Sequence, residues 1–426
     1  MLRRQLYEFF RMGRMAIFSD MTTIKHAIML PAAVAIGIGT LVATPAASAM
    51  PLSASYSGVE CAIPPGGGWQ SGCAPTPSNG YLGWSVAVSG TVAVVGAPGA
   101  RGDRGWVYIY AHSGRTWHLQ AILTDPDSVS SDEFGSSVAV SGSTAVIGAY
   151  GVANNNGAAY VYVRSGTSWS LQAELTDPGA VSDQRFGSVV AVSGSTAVIG
   201  ADTLGSSRVM AYVYTRSGTT WHQQAKLASP GTDSGSWGNF LSFSGATVVV
   251  GAPDADKERG VVYIYARSGT AWHRQARLVG PVGTAGEGFG YSAAVSGKTL
   301  VIGTEGVAHA IKFVYVYERS EATWHRQARL ADPEHRYKND GYGEAVAISG
   351  SRILASAPYW SQRSCGTAFE FTRSGIVWSE RAEVVNPGCE TGDWFGMSVT
   401  ISGTTAVIGA PLKNKNRGAV YQLTLR

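Results

Sequence analysis

The sequence predicts an all-β fold: a seven-bladed β-propeller of four-stranded antiparallel blades, its ring closed by an N-terminal strand. Three observations carry this reading. Ser-Gly pairs recur with their Ser at 89, 141, 193, 244, 296, 349 and 402, a step of 51 to 53 residues. Each follows an aromatic-Gly pair, namely Phe134-Gly135, Phe186-Gly187, Trp237-Gly238, Phe289-Gly290, Tyr342-Gly343 and Phe395-Gly396, with Leu82-Gly83 beside Tyr81 as the aliphatic variant. No window within a unit has helical period.

Within a unit the elements follow in order. In the second, residues 134–140 alternate small and apolar side chains up to the turn Ser141-Gly142-Ser143, and residues 144–149 run apolar again. After a variable loop, residues 157–163 alternate around Tyr160 and Tyr162, and a turn at Ser165-Gly166 leads into 169–175. Strand, turn, strand, loop, strand, turn, strand is the content of one propeller blade. The aromatic pair of the third strand recurs as Tyr108/Tyr110, Tyr212/Tyr214, Tyr263/Tyr265, Tyr315/Tyr317 and Phe369/Phe371. Residues two apart share a strand face, so these rings are expected between neighbouring blades. The fourth strand repeats W-x-x-Q-A-x-L from Trp117, Trp169, Trp221, Trp272 and Trp324, with His, Arg, Gln and Lys at its outward positions, as suits a charged edge on the rim.

The blades are assigned to 81–133, 134–185, 186–236, 237–288, 289–341, 342–394 and 395–426. The last reaches only its third strand, so the segment 50–80 is expected to supply the closing strand. Gly66-Gly67-Gly68-Trp69-Gln70 echoes the Trp motif faintly, and residues 55–63 are the competing choice.

The phrase F-G-x-S-V-A-V followed by V-I-G-A-P resembles the FG-GAP repeat, whose family includes the propeller at the head of integrin α subunits. Gly96-Ala97-Pro98, Gly251-Ala252-Pro253 and Gly409-Ala410-Pro411 keep the G-A-P element, with Ser356-Ala357-Pro358 a near match. The resemblance implies an integrin-α-like seven-bladed propeller. Metal-binding members of that family carry an Asp- and Asn-rich calcium loop between the first two strands, because Ca²⁺ needs six or more oxygen ligands. Here that place holds Ser-Gly-Ser-Thr, as at 141–144 and 193–196, so the resemblance is to the metal-free bacterial form of the repeat and neither calcium nor another cofactor is carried over.

Before the repeats, Arg3, Arg4, Arg11, Arg14 and Lys25 precede the apolar run 27–42 and then Ala47-Ser48-Ala49. This order is that of a signal peptide over 1–49, with Met21 an alternative initiator. Its interrupted apolar run is short for a membrane span, and no span is expected after cleavage. The 33 basic and 29 acidic residues of the chain include 5 and 2 in that segment, which leaves 28 and 27. A near-neutral remainder argues against nucleic acid or an anionic membrane as partner. Four cysteines fit an oxidising compartment, with Cys365 to Cys389 and Cys61 to Cys73 the favoured pairing of three.

The sequence holds no H-E-x-x-H, C-x-x-C, G-x-S-x-G or phosphate-cradling loop. His118, His222, His273 and His325 follow the Trp at one equivalent position, which assigns them to the scaffold. Asp132, Asp183, Asp233, Glu287, Asp340 and Asp393 lie two to four residues before the aromatic of their units, on one face near the channel mouth. Each either caps its own turn or joins a shared cation or ligand site on the axis.

Loops that differ between blades are the better candidates for recognition. Asp254, Asp256 and Glu258 spell a partial calcium pattern without further ligands, Tyr359-Trp360 is an aromatic pair suited to a sugar or a protein, and Arg101-Gly102-Asp103 is the tripeptide integrins read. Together these features predict a secreted or cell-surface binding or adhesion module, a monomer, that presents variable upper-face loops to a protein or glycan. The alternative is an extracellular enzyme acting on polysaccharide through carboxylates at the channel mouth.

Overall fold

The computed structural model describes residues 77–113, 116–177, 179, 183–201, 210–228, 240–281, 288–304, 312–333, 340–359 and 365–425. The expected signal segment, Cys61, Cys73, Asp233, Glu287, Trp360 and all but the last four residues of the expected closing segment lie outside the described residues.

The protein is a seven-bladed β-propeller. Six antiparallel sheets of four strands follow one another along the chain, spatial order matching chain order in each. In blade two these strands are Ser137–Ser141, Thr144–Ala149, Ala158–Ser165 and Ser168–Leu175. Blade seven contributes Ser398–Ser402, Thr405–Ala410 and Ala419–Thr424 among the described residues. The first strands touch in succession around the ring, and that of blade seven reaches that of blade one. They therefore line the axis. We call the end where they begin the upper end, and the end bearing the Ser-Gly turns the lower one. No helix of the described residues is long and apolar enough to cross a membrane.

The second strand is buried along its whole length in blades one to five, which is why Thr144–Ala149 reads as a continuous apolar run rather than an alternation. The core lies between blades: one cluster unites Val92, Val94 and Ile109 of blade one with Phe134, Ile147 and Tyr160 of blade two. Phe134 is fully buried, with its ring 5.5 Å from that of Tyr160 in an edge-to-face pair, and the same contact recurs at Phe186 and Tyr212. Burying each such ring contributes roughly 1.5–3 kcal/mol.

The aromatic-Gly and Gly-Ala elements meet at the blade junctions. Gly135 has a φ of 89°, open to glycine at little cost, and its amide donates to the Gly148 carbonyl of the same blade at 2.9 Å. A Cβ on Gly148 would lie 1.9 Å from the carbonyl oxygen of Gly187 in the next blade. The two halves of the motif are thus a donor and a close-approach surface for adjoining backbones.

The Ser of six Ser-Gly turns, Ser89, Ser141, Ser193, Ser296, Ser349 and Ser402, works between blades as well. The Gly142 amide donates to Ser89 Oγ at 3.1 Å, Gly194 to Ser141 at 3.1 Å, and Gly403 to Ser349 at 3.0 Å. The belt continues across the ends of the repeat, where Gly90 donates to Ser402 Oγ at 3.1 Å and Ser398 Oγ donates to the Gly83 carbonyl at 2.7 Å.

On the outer strand the W-x-x-Q motif has a like purpose. A register shift between Val161 and Tyr162 leaves Gln172 opposite no residue, and the shift recurs at the same place in the first six blades. Such a bulge re-aims the extra side chain. Gln172 thereby accepts Trp221 Nε1 of the next blade at 2.9 Å, and Trp169–Gln120, Trp272–Gln224, Trp324–Gln275 and Trp378–Gln327 repeat the bridge at 2.8 to 3.1 Å. The outer Gln, expected from sequence as a rim residue facing out, is thus a partner of the neighbouring blade. Trp324→Phe, which keeps most of the ring and loses the donor, is expected to destabilise the protein by about 1 kcal/mol. Urea denaturation of the variant against the parent checks this, and an unchanged midpoint would remove the bridge from the stabilising contacts.

Candidate interaction surface

Loops on the upper end join the second strand to the third within a blade and the fourth to the first between blades. Four of the former share one geometry. Arg101-Gly102-Asp103, Ala153-Asn154-Asn155, Asp256-Lys257-Glu258 and Asn414-Lys415-Asn416 all have φ between 51° and 73°. Left-handed backbone in three successive residues costs roughly 1–2 kcal/mol for each side chain other than Gly, so the fold must impose it. Its carbonyls hold the connection into the next blade: the Glu133 amide donates to Asp103 O at 2.9 Å and the Arg185 amide to Asn155 O at 2.8 Å.

The Arg-Gly-Asp tripeptide occupies this repeated turn. Its three residues are exposed, the Arg101 guanidinium lies 5.7 Å from the Trp106 ring centroid, and Ser130 Oγ donates to the Gly102 carbonyl at 2.9 Å. Asp254 precedes the equivalent turn of blade four, while Asp256 pairs with Arg259 at 3.2 Å. No group of three or more His, Cys, Asp or Glu among the described residues is placed to hold a metal ion.

Among the described residues, the acidic residues before the aromatics lie in the connections between blades. Asp132, Asp340 and Asp393 are 2 to 3 % exposed. Asp132 accepts the Val129 amide, Asp340 the Tyr342 amide at 2.9 Å, and Asp393 the Glu390 amide at 2.9 Å. Asp183 accepts Asn155 Nδ2 at 3.2 Å. Asp393 also pairs with the buried Lys413 at 3.2 Å and accepts Asn386 Nδ2 at 2.8 Å. Beside it a disulfide joins Cys365, in the loop between the second and third strands of blade six, to Cys389, in the connection to blade seven. His118, His222, His273 and His325 are exposed on the outer strands.

A different set of residues gathers at the upper end of the inner ring. Among the described residues, the one before each junction residue also takes positive φ: 54° at Tyr81, 53° at Glu133, 50° at Arg185 and 55° at Trp394, with glycine at 288 and 341. The backbone there is repeated while the side chain changes from blade to blade. Bulky residues held in left-handed backbone are outliers that mark sites of function more often than chance.

Around Trp394 the departures from the repeat are concentrated. Glu344 stands after Gly343, where other blades carry Trp84, Ser136, Ser188, Tyr291 and Met397. Tyr291 of blade five donates its hydroxyl to Glu344 Oε1 at 3.0 Å, and the Tyr359 hydroxyl bonds the same carboxyl. The Tyr359 ring meets that of Trp394 edge-on at 5.4 Å. Lys312, 9 % exposed at its side chain, lies 3.9 Å from Asp340 and acts on Glu344 as well. Burial pushes the Glu344 carboxyl above its ordinary range, against the pull of Tyr291, Lys312 and Tyr359. Tyr291, Glu344, Tyr359 and Trp394 are all half-buried. The arrangement offers an aromatic wall beside a carboxylate and two phenol hydroxyls, which suits a ligand with an apolar face and hydroxyl groups. Tyr359 was legible in the sequence as a loop aromatic. Glu344 could have been found as an acidic residue at a position where the equivalent Trp84, Ser136, Ser188, Tyr291 and Met397 are uncharged, whereas Tyr291, Lys312 and Trp394 come to it only through the packing of neighbouring blades.

A family model described as FG-GAP repeat matches residues 77–110, 117–162, 169–214, 272–317 and 378–423, together more than half of the chain. The chain belongs to the FG-GAP repeat family. The matched FG-GAP segments show how the repeat maps onto the propeller: four of the five begin at an outer-strand Trp and end on the third strand of the following blade. The sequence unit therefore straddles two blades, as the Trp–Gln and Ser–Gly bridges between blades require. No curated protein matches the chain.

Proposed function

We propose that this protein is an extracellular binding module whose upper face holds a glycan, with Tyr359, Trp394 and Glu344 as its principal contacts. The observation that carries the reading is the half-buried Tyr291–Glu344–Tyr359–Trp394 cluster, which the seven-fold repeat does not explain. A pyranose ring has an apolar face that stacks on Tyr or Trp and an edge of hydroxyls that a carboxylate accepts. The disulfide at Cys365 and Cys389 fits an oxidising compartment. In the same reading the turns bearing Arg101-Gly102-Asp103 and Asp254 flank other blades and take no part in this site.

Screening the purified protein on a glycan array, then titrating the best hit by calorimetry, tests this. Trp394→Ala and Glu344→Gln are expected to weaken binding roughly tenfold or more, as truncation of a buried anchor does, with the fold retained by circular dichroism. An array without hits, or variants that bind as the parent does, would overturn the glycan reading. Turnover of a bound polysaccharide would favour the enzyme instead.

A further inference from the structure

We propose that the outer rim over blades three to five is a second binding surface, for an acidic polysaccharide. The outer strands there are Thr220–Ala228, Ala271–Val279 and Thr323–Ala331. They carry Lys226, Arg274, Arg277, Arg326 and Arg329, all exposed, and no Asp or Glu. Elsewhere the pattern differs: the outer strand of blade one has no Lys, Arg, Asp or Glu, that of blade two has Glu174, and that of blade six has Glu380 and Glu383 beside Arg381. A chain near neutrality overall thus concentrates positive charge on one sector of its rim.

Two facts turn this sector into one surface. The bridges Trp272–Gln224 at 3.0 Å and Trp324–Gln275 at 3.1 Å tie the three outer strands together, so their charges are held side by side on a rigid frame. The pairing register places Arg274 opposite Tyr265 and Arg277 opposite Tyr263, on either side of the bulge at Gln275, and blade five repeats this with Arg326 and Arg329. Both Arg of a strand therefore stand on one face, toward the preceding blade, and two such pairs succeed one another along the rim. Lys226 is partly neutralised by Asp177 at 3.4 Å, the Arg329 guanidinium rests 4.1 Å from the Phe313 ring centroid and Arg277 has a contact of its own, so Arg274 and Arg326 are the leading contacts. These two break the repeat, standing where other blades have Leu119, Leu171, Gln223 and Glu380. Guanidinium groups in a row on a rigid strand match the spaced carboxylates or sulfates of a linear polyanion, which they grip through paired N–H donors.

The full-length protein is tested by fluorescence anisotropy with labelled heparin, which is sulfated, and labelled polygalacturonate, which carries carboxylates only. Binding to either is expected, and the one bound more tightly names the anionic group. The pair Arg274→Ser with Arg326→Ser should bind roughly tenfold more weakly and show a salt slope smaller by about two, since two charged contacts are gone. The control pair Lys298→Ser with Lys415→Ser removes the same charge elsewhere and should bind as the parent does. Three results would overturn the proposal: no binding of either polysaccharide at low salt, equal losses in the two double variants, or duplex DNA competing as well as the polysaccharide. The Arg pair lies outside the glycan site at the axis, so either proposal can fail while the other stands.

Discussion

Gly148→Ala is expected to destabilise the protein by about 3 kcal/mol, the upper range for forcing a methyl group into a packed site. The added Cβ would meet the Gly187 carbonyl oxygen at 1.9 Å and Ser137 Oγ at 2.3 Å. The serine can rotate away at the cost of its own 2.8 Å bond to that same carbonyl, but the backbone of the next blade cannot retreat alone. The neighbouring Gly142→Ala is the control: it has a φ of 58° and nothing within 4 Å of its Cβ direction, so only the left-handed backbone penalty of roughly 1–2 kcal/mol applies. Thermal and urea denaturation of the two variants measure the difference. Equal costs at the two positions would refute close approach as the reason for the Gly-Ala element.

The second large effect is a pH dependence at Glu344. Burial raises its folded-state pKa above the unfolded value of about 4.3. In the window between the two, the folded protein binds more protons than the unfolded chain, so stability falls as pH rises through it. Glu344→Gln removes that carboxyl and keeps the shape. Its melting temperature is expected to draw ahead of the parent's as pH rises from about 4 toward neutrality, the gap holding constant above the folded pKa. A gap that stays level or narrows over that range would contradict the burial of this carboxyl. The glycan titration, run on the same variant, is independent of the outcome because it reads affinity rather than melting.

Much of the fold is legible in residues 81–426 because each unit repeats a local pattern with a local cause. Alternation marks the outer and inner strands, continuous apolar runs mark the buried second strand, and Ser-Gly marks the tight turns. Tyr160 and Tyr162 are placed between blades by strand periodicity alone, and the structure finds them there, packed against Phe134. The pairing of Cys365 with Cys389 follows from the blade layout, since both loops emerge at the same end.

The candidate site was only partly legible. Tyr359 stood out as an aromatic in a variable loop, but Arg101-Gly102-Asp103 stood out equally and sits in a turn that three other blades share. Local motifs cannot reveal that, because the left-handed geometry of Asp256-Lys257-Glu258 and Asn414-Lys415-Asn416 leaves no common residue type behind. The partner of each outer Trp escaped for a related reason. Gln120 and Trp169 are 49 residues apart, and the bulge that turns the Gln toward the next blade is a property of the paired strands.

The sequence by itself determined the number of blades, the order of their strands and the residues that fill the space between them, because those depend on periodicities that every unit expresses. Tertiary structure decided what each repeated polar residue holds and which unrepeated ones converge. Tyr291 comes from blade five, Glu344 and Tyr359 from blade six and Trp394 from the connection into blade seven, while Arg274 and Arg326 come from blades four and five. Such groups meet only when the ring brings distant units to one place, and nothing local in the chain encodes that meeting.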